Sequence, residues 1–181
     1  MSGSSMPVIA SLDQHDLGLF DKRDGDVLWT RLAARAVLFN DRGQVAVMNF
    51  SKLDSYKLPG GGIDEGEDTI AALHREIEEE TGYHIDGIRE LGVVEEDRYF
   101  CNMHQTSYCF IAKVTSFVGT KLTEKESLAG MNLQWAGSTD EAIQWIESGK
   151  LADEDGSVVG LAMMKARDIE ILRAAATAQA L

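Results

Sequence analysis

Residues Gly61 to Tyr83, GGIDEGEDTIAALHREIEEETGY, constrain this chain more than any other segment. From Asp68 to about Thr81 they predict a helix. Ile70, Leu73 and Ile77 recur at i, i+3 and i+7 and make one apolar stripe. Ala71 and Ala72 favour helix, and acidic Glu67 and Asp68 suit its positive N-terminal end. Gly82 is a natural stop, because glycine takes the left-handed conformation that follows a helix. Glu76, Glu79 and Glu80 stand at i, i+3 and i+4, so they share one patch, with Glu80 bordering the stripe. The stripe can dock on a sheet while the carboxylates face a cleft at its edge. Three carboxylates about 6 Å apart repel by roughly 3 kcal/mol per pair at an effective dielectric of about 20. A strong local cation makes such clustering favourable in a cleft, and oxygen ligands without Cys or His select Mg2+ or Mn2+ over zinc. A bare run of glutamates is more often a solvated helix face. The preceding glycines and the spaced Glu67 and Arg75 reverse that preference here.

Gly61, Glu67, Arg75, Glu76, Glu79, Glu80 and Gly82 together read G-x5-E-x7-R-E-apolar-x-E-E-x-G-apolar. That pattern resembles the Nudix box of the Nudix (MutT-like) hydrolases, which act on nucleoside diphosphates linked to a further group. The resemblance implies an α/β fold, an α/β/α sandwich with a mixed β-sheet, over residues 30–148. It implies Mg2+-dependent hydrolysis of a pyrophosphate bond in a small nucleotide such as an NTP, a dinucleoside polyphosphate or a nucleotide sugar. It gives Glu76, Glu79 and Glu80 as catalytic metal ligands, with Mn2+ an alternative ion. The backbone carbonyl of Gly60, in the turn Leu58-Pro59-Gly60-Gly61-Gly62, would complete the metal shell. Arg75 would pair with Glu67 or a neighbouring box glutamate and fix the loop on the helix, a structural role shared by Gly61 and Gly82. A bidentate Arg–carboxylate pair suits that role. The general base differs among such proteins. It is a box glutamate or an acid on a later loop, here Glu126 or Glu124 in GTKLTEKESLAG, with Glu95, Glu96 and Asp97 as a third option.

Outside the box, Arg31 to Asn40 and Gln44 to Phe50 read as strands joined by the turn Asn40-Asp41-Arg42-Gly43. Arg35 shares a face with Val37 and Phe39, where it would serve as a phosphate contact or as a structural ion-pair partner. Ile88 to Tyr99 and Gln105 to Val114 predict two long antiparallel strands, and Asn132 to Ala136 a short one carrying Trp135. Ser138 caps a helix over Thr139 to Glu147 whose inner face is Ala142, Ile143 and Ile146, and Val158 to Ala176 is a longer helix. Strands and helices in this order suit a mixed sheet covered on two faces. Tyr99, sixteen residues past Tyr83, sits where dinucleoside polyphosphate hydrolases of the resembled family often carry a tyrosine, and would stack on the base.

At 181 residues the chain fits one domain. Residues 1–29 form an N-terminal extension with a flexible start at MSGSS, and residues 149–181 a C-terminal helical extension of the same domain. In the resembled family such extensions shape substrate choice or a homodimer interface. No apolar run is long enough to span a bilayer and no secretory leader opens the chain, so a cytoplasmic location and no membrane partner are expected. The net charge of −13 disfavours polymeric nucleic acid, which is held by neutralising many phosphates, whereas bound divalent ions let a small anion in. Cys101 and Cys109 lack metal-ligand or CxxC spacing and read as reduced thiols. No counterpart of the isopentenyl diphosphate isomerase cysteine motif is present. The only prolines are Pro7 and Pro59, which removes the proline typical of ADP-ribose hydrolases. The alternative functional reading is a catalytically silent nucleotide-sensing module, which should have lost box carboxylates that this chain retains.

Overall fold

One strand serves two cores. Along Trp29–Phe39 (β2), Ala34, Ala36 and Leu38 point to one side of the sheet and Val37 and Phe39 to the other, all buried. Apolar residues on both faces are what a central strand of a covered sheet requires. The computed structural model describes residues 6–150 and 158–179; the expected flexible start lies outside them.

Seven further strands join β2: Val8–Asp13 (β1), Val45–Phe50 (β3), Ser55–Lys57 (β4), Gly60–Gly62 (β5), Tyr83–Arg98 (β6), Met103–Phe117 (β7) and Met131–Ala136 (β8). The main path is β1-β6-β7-β2-β3-β4, with β5 paired to β2 and β8 to β3. The β1/β6 and β2/β7 pairs are parallel and the remaining pairs antiparallel, so the sheet is mixed as expected. On one face lies the helix Thr69–Thr81 (α1), whose Ala72, Leu73 and Ile77 pack with Ala34, Ala36, Leu38 and Phe110. On the other lie Thr139–Ser148 (α3) and Val158–Gln179 (α4), whose Ile146, Ile171 and Leu172 pack with Val37, Val47 and Ile111. This is the α/β/α sandwich.

The expected Gly82 stop and Ser138 cap are present, and Asp68, expected only as an acid suited to the helix start, is itself the N-cap of α1. Asp68 accepts from the amides of Ile70 and Ala71, Gly82 takes the left-handed conformation at the end of α1, and Ser138 accepts from the Glu141 amide. Ile70 departs from the expected stripe at 38% exposure, and Ala72, next to Leu73 in the chain, is buried in its place. The glycine triplet, read as a turn, is strand β5, with Gly60 opposite Arg35 and Gly61 opposite Ala34. The loop around Glu124 and Glu126 is a short helix, Glu124–Leu128 (α2), started by a Thr123–Glu126 capping box. Within the N-terminal extension, β1 adds a parallel edge strand to β6. The C-terminal helix is largely buried, and its Lys165 is buried where the ammonium meets the carbonyls of Glu147 and of Gly149, the residue that ends α3. Among the described residues no helix is long and apolar enough to cross a membrane. Cys101 and Cys109 are free thiols, the latter buried.

Candidate functional site

The antiparallel pairing of β5 with β2 puts the glycine strand between the carboxylate side of α1 and the face of the sheet that carries Arg35. Only glycine suits the first position of β5, and at the second a side chain would displace Glu76. Gly60 has φ of +126°, and a Cβ there would strike the Ala34 carbonyl and the Arg35 Cα; a Cβ on Gly61 would land on the Glu76 carboxylate. Between these elements opens a cleft of about 490 Å³, lined by Glu76, Glu79, Glu80 and Glu126 on one side and by Arg31, Arg35, Arg98 and Arg167 on the other. Its volume is of the order that takes a nucleotide-sized ligand.

Arg75 holds the loop as the box pattern implies. Its Nε donates to Glu67 Oε1 at 2.9 Å and its Nη2 to Glu67 Oε2 at 2.8 Å. Its other contacts are Glu76 Oε1 at 2.8 Å, Glu79 Oε2 at 3.5 Å, the Gly62 carbonyl at 3.0 Å and, more distantly, Asp64 Oδ2 at 3.9 Å. The hydrogen bonds from Arg75 pull the Glu67 carboxyl down to about 2, and those carboxylates raise the Arg75 guanidinium in return. Glu80 is the most enclosed of the three box carboxylates, at 2% exposure. It pairs with Lys57 and accepts the Gly60 amide at 2.9 Å. Burial pushes its carboxyl up, against the opposing pull of Lys57.

The three glutamates line one cleft, yet their carboxylates are not gathered as the helix spacing suggested. Among the described residues no group of three or more Asp, Glu, His or Cys side chains is close enough to hold a metal ion. The reason is local pairing: Glu76 turns to Arg75, Glu80 to Lys57, and Glu79 projects outward at 39% side-chain exposure. The Gly60 carbonyl, expected to face an ion, accepts from Arg35 Nη1 at 3.0 Å and Lys57 Nζ at 3.3 Å. Every donor in the set is nevertheless an oxygen, and the fold already places cations against these carboxylates. A hard divalent ion fits that chemistry.

Arg35 is 4% exposed and faces the cleft, with burial lowering its guanidinium to about 10. Glu126 also reaches the cleft, although one carboxylate oxygen is engaged by the Thr123 amide and hydroxyl at 2.8 Å each. Glu124 is not among the residues lining it. Glu95 and Asp97 point to the opposite side of β6, where they clamp His104 at 2.8 and 2.7 Å. Glu96 is buried against Arg98 and Gln105. Tyr99 is the clearest misplacement. It sits in a short 3-10 turn, Tyr99–Cys101, stacks on His15 with ring centroids 4.3 Å apart, and donates to Asp13 Oδ2 at 2.6 Å. That bond raises its hydroxyl to about 12. The tyrosine packs the N-terminal extension and does not line the cleft. Trp135 meets Tyr83 edge-on in the α1-side core, likewise away from the cleft.

Sequence reasoning missed Lys57 and the whole contribution of α4. Asp168, fully buried, accepts the Leu58 amide at 2.9 Å and Arg167 Nε at 2.7 Å, tying α4 to the strand-to-glycine connection. Burial would lower Arg167, but Asp168 and Glu96 more than offset it, so its guanidinium is raised. Arg31 is lowered by burial, then by the nearby Arg98 and Arg167. The signal was weak: α4 carries Lys165, Arg167, Asp168, Glu170 and Arg173 spread around its axis, and nothing in their spacing marks Arg167 and Asp168 as the buried pair.

The NUDIX domain family model matches residues 29–157. The chain belongs to the NUDIX family. It is similar to an RNA pyrophosphohydrolase of Ruthia magnifica subsp. Calyptogena magnifica, 46% identical over 52 residues, 29% of each chain. It is also similar to a CMP-5'-(N-acetyl-N-hydroxy-3-aminopropyl)phosphonate hydrolase of Streptomyces rubellomurinus, 30% identical over 142 residues, covering 71% of this NUDIX chain and 61% of that protein. The chain thus spans less than two thirds of the length of these relatives. A solved NUDIX hydrolase from Nitrosomonas europaea superposes with a TM-score of 0.53 at 20% identity, over 77% of this chain and 87% of that one, which shows the shared fold.

Proposed function

We propose that this NUDIX chain hydrolyses the pyrophosphate bond of a small nucleotide in which a nucleoside diphosphate is linked to another group, with Mg2+ as the working ion and Mn2+ as a substitute. The carrying observation is the two-sided cleft, with box carboxylates from α1 on one wall and arginines on the other. Glu76, Glu79, Glu80 and the Gly60 carbonyl would hold the ion. When bound, such an ion neutralises phosphate oxygens and acidifies water. Arg35, fixed by the Gly60 carbonyl, presents its guanidinium to a phosphate, and buried arginine is well suited to phosphate recognition. Arg75 keeps Glu76 and the Gly62 carbonyl in register, so the carboxylate wall stays aligned with the glycine strand. Glu126, at the mouth, is the outside acid available to take a proton from attacking water, its position set by the α2 capping box.

The relatives are named for hydrolysis of a pyrophosphate in RNA and of a CMP-linked phosphonate, both consistent with a nucleoside phosphate bonded to a second phosphorus group. A net charge of −13 argues for a small nucleotide over a long polyanion. The test is product identification. A panel of NTPs, dinucleoside polyphosphates and nucleotide sugars is incubated with and without Mg2+ and assayed for nucleoside monophosphate. The expected result is its release from at least one class, and only with the ion. A panel that yields none, while the nucleotides still bind, would leave the silent sensing module as the better reading.

A further inference from the structure

The arginine wall holds more positive charge than its own carboxylates neutralise. Arg31 and Arg35 lie on the α4-facing side of β2, Arg98 on the same side of β6, and Arg167 on α4. Among the described residues the carboxylates in ion pairs with them are Glu96 and Asp168, while Arg31 and Arg35 are in no ion pair and Glu76 acts on Arg31 only across the cleft. A polar chain joins the members: Arg31 Nη1 donates to Gln105 Oε1 at 2.9 Å, Gln105 Nε2 to Glu96 Oε2 at 2.6 Å, and Arg98 Nε to Glu96 Oε1 at 3.1 Å. Arg167 Nη1 stands 3.9 Å from the same Glu96. Arg167 is 2% exposed, lines the cleft, and its Nη2 finds no hydrogen-bond partner among the described residues; nor does Arg35 Nε. Unsatisfied guanidinium nitrogens in a buried cluster of like charge are costly unless an anion completes them. A cluster serving only as scaffold would pair each guanidinium with its own carboxylate, as Arg75 is paired with Glu67.

We infer that Arg31, Arg98 and Arg167 form an anion subsite that recognises a negatively charged group on the moiety beyond the scissile bond, a terminal phosphate, phosphonate or carboxylate. Two of the three stand on sheet strands of the family domain. Arg167 stands beyond residue 157, where the family model stops, so α4 supplies a specificity element that the box does not contain. Asp168 positions Arg167 through Nε, Glu96 stands beside its Nη1, and its Nη2 is buried at the cleft lining without a partner among the described residues. The inference rests on the hydrolase reading above for its substrate and on the cluster itself for its binding chemistry.

Two measurements separate the two. In the first, with EDTA present and no metal, inorganic pyrophosphate is titrated into the full chain and thermal unfolding is followed. Wild type should be stabilised, and Arg31→Gln and Arg98→Gln should each weaken the pyrophosphate affinity about 10- to 100-fold, the loss expected for a charged hydrogen-bond donor. Arg31→Gln is the safer variant for folding, because its side chain is only part-buried and has one partner. In the second, turnover of a nucleoside diphosphate hexuronate is compared with that of its hexose counterpart, and of an NTP with its γ-ester. The preference in kcat/KM should favour the fully charged member, and the variants should lose more on that member than on the other. Equal stabilisation of wild type and variants by pyrophosphate, or turnover that ignores the terminal charge, overturns the subsite while leaving hydrolysis standing. No turnover of any substrate, with pyrophosphate binding intact and arginine-dependent, overturns the hydrolase reading and keeps the subsite.

Discussion

Replacing Asp168 with alanine tests how far the site depends on the C-terminal helix. Asp168 is fully buried, and its carboxylate engages two groups on different elements, the Leu58 amide at 2.9 Å and Arg167 Nε at 2.7 Å. Removing it leaves a guanidinium that is itself 2% exposed with only Glu96, 3.9 Å away, and a buried amide without an acceptor. Breaking a buried ion pair by deleting one partner costs about 3–5 kcal/mol. For a chain of this size roughly 2–4 °C of melting temperature accompanies each kcal/mol, so the midpoint should fall by about 6–20 °C. Urea unfolding followed by circular dichroism gives the free energy directly, because the alanine change should shift the midpoint with little change in slope. Asp168→Asn is the control. It keeps an acceptor for the Leu58 amide but discards the charge, and should fall between wild type and Asp168→Ala. A loss under about 1 kcal/mol for the alanine variant would refute the reasoning, since Glu96 alone would then suffice for Arg167 and Asp168 would not tie α4 to the connection before the glycine strand.

Three further outcomes follow from the same geometry. Gly60→Ala should lose stability by more than the roughly 1–3 kcal/mol of a strained backbone, because φ of +126° and the Ala34 carbonyl both oppose a Cβ; wild-type melting would contradict this. Tyr99→Phe removes one hydrogen bond to Asp13 outside the cleft, so it should cost about 1 kcal/mol in unfolding and leave KM for the nucleotide unchanged; a several-fold rise in KM would return Tyr99 to the substrate site. Glu67 falls from 4.5 to about 2 on folding, so its contribution is complete above pH 4.5 and fades as pH drops toward 2. The stability gap between wild type and Glu67→Gln should therefore close over that interval, and a gap independent of pH would exclude the Arg75 pairing as its cause.

Much of this was legible in the residues because local rules and tertiary demands agree there. The α1 helix carries its own caps and its own apolar side, and the covered strands show their burial in runs of Ala, Val, Leu and Phe. Arg75 and Glu67 meet because helix geometry and a glycine-rich approach leave them little else to do. What stayed hidden depends on contacts between distant segments. Strand β5 has no side chains from which alternation could be read; its existence follows from pairing with β2. Tyr99 was placed by counting residues, but its partner is Asp13, 86 positions away. Arg167 and Asp168 are two of five charged residues in α4, and the Leu58 amide that Asp168 accepts lies 110 residues upstream. The carboxylates of the box were found from spacing, whereas their pairing with Lys57 and Arg75 depends on which cations the fold brings to them.

The central claim is that the carboxylate side of α1 is a metal-dependent hydrolytic site, and Glu79 tests it with least risk to the fold, being 39% exposed with one weak ion pair. The decisive measurement is the Mg2+ dependence of nucleoside monophosphate release by wild type and Glu79→Gln, with matched melting curves. Wild type should require the ion and saturate with it. The variant should melt like wild type, need a higher Mg2+ concentration and turn over at least about a hundredfold more slowly, the scale lost with one electrostatic stabiliser. Equal rates at every Mg2+ concentration would contradict the account.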